Sequence, residues 1–323
     1  METRAASMAM TQVAREAPHG LMFHHFHDLR HPRGQGAIDA ACFEAVLTRI
    51  GLDRILPAGE FLRRAIAKEL RRGDLCITFD DALRCQYDVA LPVLRRRNLT
   101  AFFFVYSGVF EGHREPLEIF RYFRTVAFPD IDRFYAAFDA AIADSQHADL
   151  VAQESAGVDF SAHLAEVPVY TLADRRFRYL RDRVLGPARY TDVMWRMIRN
   201  AGYDNLIPSE LLWMDDANLR ELHSEGHVIG LHSYSHPTEL KAMPISDQRG
   251  EYHRNAAHLL RVTGQKPIAM SHPCNSYGPD TLELLRQMGV VIGFRANMAK
   301  TDFSELEMPR IDHAILTREM GLI

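Results

Sequence analysis

Asp74-Leu75-Cys76-Ile77-Thr78-Phe79-Asp80-Asp81, a helical stretch over 87–97, then Thr100-Ala101-Phe102-Phe103-Phe104-Val105: the reading of residues 74–105 decides the fold. Both outer segments are unbroken apolar runs of strand length. Between them Tyr87, Ala90, Leu91 and Leu94 recur at helical spacing. Strands that are apolar on both faces, separated by a helix, form a parallel sheet covered by helices.

Working upstream, residues 39–72 repeat apolar side chains at helical spacing (Phe43, Val46, Leu47, Ile50), broken at Pro57-Ala58-Gly59. Before them, Gly20-Leu21-Met22-Phe23-His24-His25-Phe26-His27-Asp28 reads as a first strand, and residues 1–19 as a flexible tail. Downstream, 107–212 changes character: aromatic and charged residues at helical spacing, without a clear strand. The alternation then resumes with a helix over 215–225, a strand over 227–231, a helix over 247–263 and a strand over 267–271. A helix over 279–288 and strands over 290–294 and 308–313 follow. The expected organisation is one α/β domain, 20–106 with 213–323, interrupted by a helical insertion subdomain at 107–212. That insertion could close over a substrate or build a homodimer interface. Its aromatics suit a small core better than a sugar platform. Its arginines (Arg121, Arg124, Arg175, Arg176, Arg178) suit a solvated face, although an anionic sugar would find them useful.

Composition narrows the function classes. Lys and Arg number 38 against 42 Asp and Glu, a net charge of −4, which argues against a nucleic-acid surface. No apolar run reaches the roughly 18 residues that a membrane span needs. The first twenty residues lack the apolar core of a secretory signal. Cys42, Cys76, Cys85 and Cys274 show no paired spacing, so reduced thiols and a cytoplasmic location are expected. Sixteen histidines are many, and several are grouped, which directs attention to a metal site.

Two motifs can carry chemistry. Asp80-Asp81 ends a buried strand, where like charges are unfavourable and where parallel α/β folds build their sites. One carboxylate could hold a metal while the other faces substrate; an N-cap for the following helix is the structural alternative. His232-Ser233-Tyr234-Ser235-His236-Pro237 follows another apolar strand. Histidines at i and i+4 share a face if the turn is helical and can present two imidazoles to one ion. Taken alone, they read equally as solvated loop residues. Together, one Asp and two His provide three ligands and leave a position open for water and substrate, as hydrolytic metal sites require.

TFDD, the strand TAFFFV after it, and LRELHSEGHVIGLHSYSH closely resemble the polysaccharide deacetylase family, the NodB-homology fold, over about 20–105 and 213–313. The resemblance implies a distorted (β/α) barrel and metal-dependent hydrolysis of a non-peptide carbon–nitrogen bond, releasing an acyl group from a saccharide. By position it makes Asp80 the catalytic base, and Asp81, His232 and His236 the ligands of a divalent metal, usually zinc. The loop Ser271-His272-Pro273-Cys274-Asn275 stands at the family's third motif. There the Cys274 backbone amide is the expected oxyanion donor, with His272 and Pro273 beside substrate. Ser271 stands where many members have an arginine that pairs with the catalytic Asp, so His272 is expected to set the pKa of Asp80 instead. For the general acid, His313 in Ile311-Asp312-His313-Ala314 is the nearest match. Met308-Pro309-Arg310-Ile311 also resembles a branch whose final strand carries Arg and no obvious His. His25 and His27, on one face of the first strand if it is extended, are the substitutes and would lie by the substrate.

The expected activity is removal of an acyl group, N-acetyl foremost, from a saccharide or activated sugar in cell-surface polysaccharide biosynthesis. Hydrolysis of a non-sugar amide or formamide, and a carbohydrate-binding relative without catalysis, are the alternatives.

Overall fold

The computed structural model describes residues 16–165, 170–203, 209–299 and 304–322. The tail expected at 1–19 falls largely outside them. By contacts the chain divides into two units, 1–115 with 209–323, and 116–208.

The first unit is a parallel barrel. Its strands are β1 (His19–Phe23), β2 (Leu75–Phe79), β3 (Phe102–Val105), β4 (Val228–Leu231), β5 (Ala269–Ser271), β6 (Ile292–Phe294) and β7 (Arg310–Asp312). They lie in the order β6-β5-β4-β3-β2-β1-β7, every pairing parallel. The two ends of that order nearly meet. Met308, two residues before β7, bridges Phe294 at the end of β6, and its N–H donates to the Gly293 carbonyl at 2.8 Å. The fold is therefore a near-closed, distorted (β/α) barrel, as the sequence leads one to expect.

Alternation along the strands sorts side chains into two layers. Register pairs Thr78 with Phe102, Phe104 with Gly230, and Ser271 with Phe294, so these positions share one face. On it Cys76, Phe102, Phe104, Ala269, Ile292, Phe294 and Met308 form an apolar core with Ala58 and Phe61 of the helix Ala58–Ala67. Gly230 is what lets Phe104 fill this space: a Cβ there would stand 2.7 Å from the Phe104 ring. On the opposite face Phe23, Phe79 and Phe103 pack together and against Phe43 of the helix Ala40–Ile50. That helix starts at Asp39, whose carboxylate accepts from the Cys42 N–H at 2.7 Å, and buries Phe43, Val46 and Leu47 on one stripe.

β1 is shorter than its apolar run. It stops at Phe23, so His24 to Asp28 lie in the loop beyond it. His25 and His27 therefore do not share a strand face, which corrects the premise on which they were grouped.

The second unit is helical: Pro116–Ala127, Ile131–Ala143, Ala148–Ser155, Leu172–Tyr179 and Gly186–Asn200. Phe134, Phe138 and Phe177 are buried against one another, with ring centroids 5.0–6.1 Å apart, joined by Tyr135. These aromatics form a core, as expected. Its arginines are not simply solvated: Arg176 pairs with Asp139, and Arg178 stacks 4.0 Å from the Tyr170 ring centroid.

Candidate metal centre

β2 ends in a sharp turn. Asp81 (φ 76°) and Ala82 (φ 53°) both adopt the left-handed conformation, which costs an ordinary residue free energy and persists where the surroundings enforce it. Buried Gln86 donates to the carbonyls of Asp80 (2.6 Å) and His24 (3.0 Å), tying the ends of β2 and β1 together. The Met214 N–H donates to the Ala82 carbonyl. The turn sends the two carboxylates different ways. Neither caps a helix.

Asp80 goes into the barrel, where Arg310 meets it with a bidentate guanidinium. Nη1 donates to Oδ1 and Nη2 to Oδ2, both at 2.7 Å. The same guanidinium donates through Nε to the Arg295 carbonyl and through Nη2 to Ser271 Oγ, and the Ser271 hydroxyl donates to Asp80 Oδ2 at 3.2 Å. Arg310 and Asp80 are only 1% and 3% exposed, which makes the pairing obligatory: either charge alone in that interior would be very unfavourable. Burial raises the pKa of Asp80, but Arg310, then His232 and His24, outweigh it and hold the carboxyl below its usual range. The expectation that Asp80 lacks a guanidinium, with His272 in its place, is thus corrected. The arginine comes from β7, beside β1, and not from the Ser271 position. His272 turns away: it donates through Nε2 to the Leu306 carbonyl at 2.8 Å and stacks on Tyr277 at 3.9 Å.

Asp81 faces the histidines. Its Oδ1 lies 3.3 Å from His232 Nε2 and 3.4 Å from His236 Nε2. That oxygen is buried and takes part in no hydrogen bond. His232 donates through Nδ1 to the Ser271 carbonyl at 2.9 Å, which leaves Nε2 directed at Asp81. Burial opposes ionisation of Asp81, yet His236 and His232 hold it well below the ordinary range. One donor atom from each of Asp81, His232 and His236 lies within 4.8 Å of the others. One carboxylate oxygen without a hydrogen bond and two imidazole nitrogens, converging in a buried site, fit a divalent ion.

The His232–His236 turn is not helical. Ser233 (φ 66°) and His236 (φ 55°) are left-handed, and this folds the two rings to 4.9 Å between centroids. Its backbone is gripped from the segment just after β3: the N–H groups of Ser107 and Gly108 donate to the carbonyls of Ser233 and Tyr234. Only glycine allows that approach at 108, since a Cβ would stand 2.8 Å from the Tyr234 carbonyl.

Other residues singled out in the sequence fall as follows. Cys274 is left-handed (φ 48°) in the turn Pro273–Asn275 and is exposed. Packing around its thiol, with Asp81, Glu115 and Asp80 nearby, pushes the pKa up to about 12, which leaves no thiolate nucleophile. Pro273 and His272 are buried. His313 is buried as well, donating through Nε2 to the Gly36 carbonyl at 2.8 Å and packed on Phe23. Burial lowers its pKa, against the pull of Asp312. His25 and His27 are half-buried in the loop after β1. Of this first histidine group it is His24 that reaches Asp80, its Nε2 3.7 Å from Oδ2. None of the four cysteines is in a disulfide. Among the described residues no helix is long and apolar enough to cross a membrane.

Two residues escaped the sequence reading, Arg310 as the partner of Asp80 and His24 as its neighbour. Parallel register would have found the second. Phe23 pairs with Phe79, so His24 is level with Asp80.

The polysaccharide deacetylase family model matches residues 189–293, which include both histidines of the site. No curated protein matches the sequence. Solved structures share the fold at low identity. The Streptococcus pyogenes deacetylase PplD, in complex with acetate, is 16% identical with a TM-score of 0.53, the alignment covering 92% of each chain. IcaB from Ammonifex degensii is 17% identical with a TM-score of 0.52, over 92% of this chain and 90% of that one. The BpsB deacetylase domain from Bordetella bronchiseptica is 14% identical with a TM-score of 0.51, over 92% and 96%.

Proposed function

We propose that this chain, a member of the polysaccharide deacetylase family, hydrolyses an acyl amide, N-acetyl foremost, on a saccharide or activated sugar. The observation that carries the reading is the pair of neighbouring carboxylates with divided environments: Asp81 converges with two imidazoles, while Asp80 is held ionised beside them by Arg310. Asp81, His232 and His236 would hold the divalent ion, zinc by the nature of the donors. Such an ion supplies Lewis acidity, acidifying water and polarising an acyl oxygen. Asp80, anionic and fixed on both oxygens, takes the proton of the attacking water. Arg310 and Ser271 keep its carboxylate from turning. The Cys274 amide, in its left-handed turn, serves as the oxyanion donor.

For the leaving amine, His24 has the better placement and His313 the poorer. His24 Nε2 lies 3.7 Å from Asp80 and its side chain is a quarter exposed, whereas the His313 ring is buried against Phe23 with Nε2 committed to Gly36. Four cysteines outside any disulfide suit a reducing, cytoplasmic setting, where a soluble saccharide or activated sugar is the natural substrate.

Acetate release from N-acetylated oligosaccharides and activated sugars by the zinc-loaded protein tests this reading, with Asp80→Asn and His24→Gln in parallel. We expect turnover by the wild type, a loss of at least 10²-fold in each variant, and no loss of that size in His313→Gln. Turnover confined to small non-sugar amides would reject the saccharide and keep the hydrolase.

A further inference from the structure

We infer that Glu251 is a positioning residue that holds the ligand-bearing turn closed on the metal site. This rests on the reading of Asp81, His232 and His236 as ligands.

Three polar groups of the turn converge on one carboxylate. The Tyr234 and Ser235 N–H groups donate to Glu251 Oε2 at 2.9 and 2.7 Å, and the Ser235 hydroxyl donates to Oε1 at 2.7 Å. Two successive N–H groups on one anionic oxygen make a backbone nest, and charge-assisted bonds of this kind are stronger than neutral ones. Glu251 lies on the helix Ile245–Thr263, one turn before Asn255 on the same face. Buried Asn255 accepts from the His232 N–H at 3.0 Å and donates to the Val105 carbonyl at 2.9 Å, so it ties the start of the turn to the end of β3. Between them, Arg254 lays its guanidinium 3.4 Å from the centroid of the Tyr234 ring.

The division of labour follows from position. Asn255 fixes the residue where the chain leaves β4. Glu251 fixes the middle of the turn, between the two left-handed residues Ser233 and His236. Those conformations are unfavourable for residues with side chains, so the turn needs an external partner to prefer them. With the carboxylate gone, two half-buried N–H groups would seek other partners, and the turn that aims His236 Nε2 at Asp81 would loosen. Glu251 touches neither ligand ring nor Asp81 in these contacts. It acts through the backbone.

The test is the zinc dissociation constant of the folded protein, by competition with a chromophoric chelator, together with the melting temperature of the metal-free form. Glu251→Ala is expected to weaken zinc binding about 10- to 100-fold, the usual cost of losing a group that orients a ligand. Glu251→Gln, which keeps the shape and one acceptor, and Ser235→Ala, which removes one of the three donors, should each weaken it less than Glu251→Ala. Asp216→Ala loosens the neighbouring His258–Asp216 contact, at 2.9 Å, and should lower the melting temperature while leaving zinc affinity unchanged. Wild-type affinity in folded Glu251→Ala would overturn the proposal. So would an equal loss of affinity in Asp216→Ala, because the effect would then be general destabilisation. If Glu251→Ala does not fold, unchanged affinity in both Glu251→Gln and Ser235→Ala decides against it. His236→Ala separates the two levels. A wild type that binds no zinc removes the metal reading itself; zinc lost in His236→Ala and kept in Glu251→Ala removes only this inference.

Discussion

On one side of the barrel mouth Arg310 holds both oxygens of Asp80 at 2.7 Å; on the other, one oxygen of Asp81 faces two imidazole nitrogens at 3.3 and 3.4 Å and takes part in no hydrogen bond. The two carboxylates are adjacent in the chain and both are buried, Asp80 more deeply (3% against 8% exposed). The first is complete within the protein: a buried anion matched in shape and charge. The second is a set of donors without an acceptor among them, and stability alone does not require it. The difference separates a residue whose charge the fold guarantees from residues whose geometry the fold keeps available for something else.

Breaking the closed side should cost most. Arg310→Met leaves Asp80 buried without its cation and is expected to lower stability by about 3–5 kcal/mol in urea unfolding, or to prevent folding. Asp81→Asn, tested without metal in the same assay, should cost less than Arg310→Met, since no hydrogen bond at Oδ1 is lost and no buried cation is left unpaired. Equal costs at the two positions would erase the contrast.

Acid should come next, acting on walls that belong to neither side. His227, just before β4, accepts from the Ala101 N–H, and His272, just after β5, is fully enclosed; burial pushes both pKa values down to about 4. An ordinary histidine titrates near 6.5, so between pH 6.5 and 4 the unfolded chain binds protons that the folded one refuses. Stability is then complete above pH 6.5 and falls as the pH drops toward 4, by on the order of 2 kcal/mol per histidine at pH 5. Urea midpoints at pH 7 and pH 5 measure this, and His272→Asn should remove about half of the difference, His227 keeping the rest. A pH-independent midpoint would show these histidines to be charged in the fold.

Ser271→Ala probes the smallest element of the contrast. It removes the hydroxyl that accepts from Arg310 and donates to Asp80, leaving both direct bonds in place, and about 1 kcal/mol is expected. A loss as large as that from Arg310→Met would make the serine, and not the ion pair, the centre of the closed side.

Most of the barrel is legible in the sequence because each strand is a short apolar run and each covering helix repeats at its own period. The histidine turn and the acidic pair are legible for the same reason: both directly follow such runs. What is not legible is which strands lie side by side. Arg310 stands in a strand that looks like any other, and nothing local shows that β7 docks beside β1 with Arg310 level with Gly20 and within reach of Asp80. Order along the chain locates a motif at Ser271, whereas a guanidinium can reach the same oxygens from another wall, as Arg310 does. The end of β1 is a subtler loss. The apolar run continues through Phe26, so the strand seems to continue, and the phase that singles out His24 over His25 and His27 depends on pairing with β2.

The strand order also constrains synthesis. β1 is made first among the strands and sits between β2 and β7, which is made last. Until β7 emerges from the ribosome, β1 has a free hydrogen-bonding edge and Asp80 has no cation. A nascent chain halted before Arg310 therefore cannot reach the native barrel by local rearrangement, and it exposes a strand edge to which other chains can add. Completion of the sheet and neutralisation of the buried Asp80 carboxylate are one late event, and a chain lacking only β7 should need chaperones far more than its length would indicate.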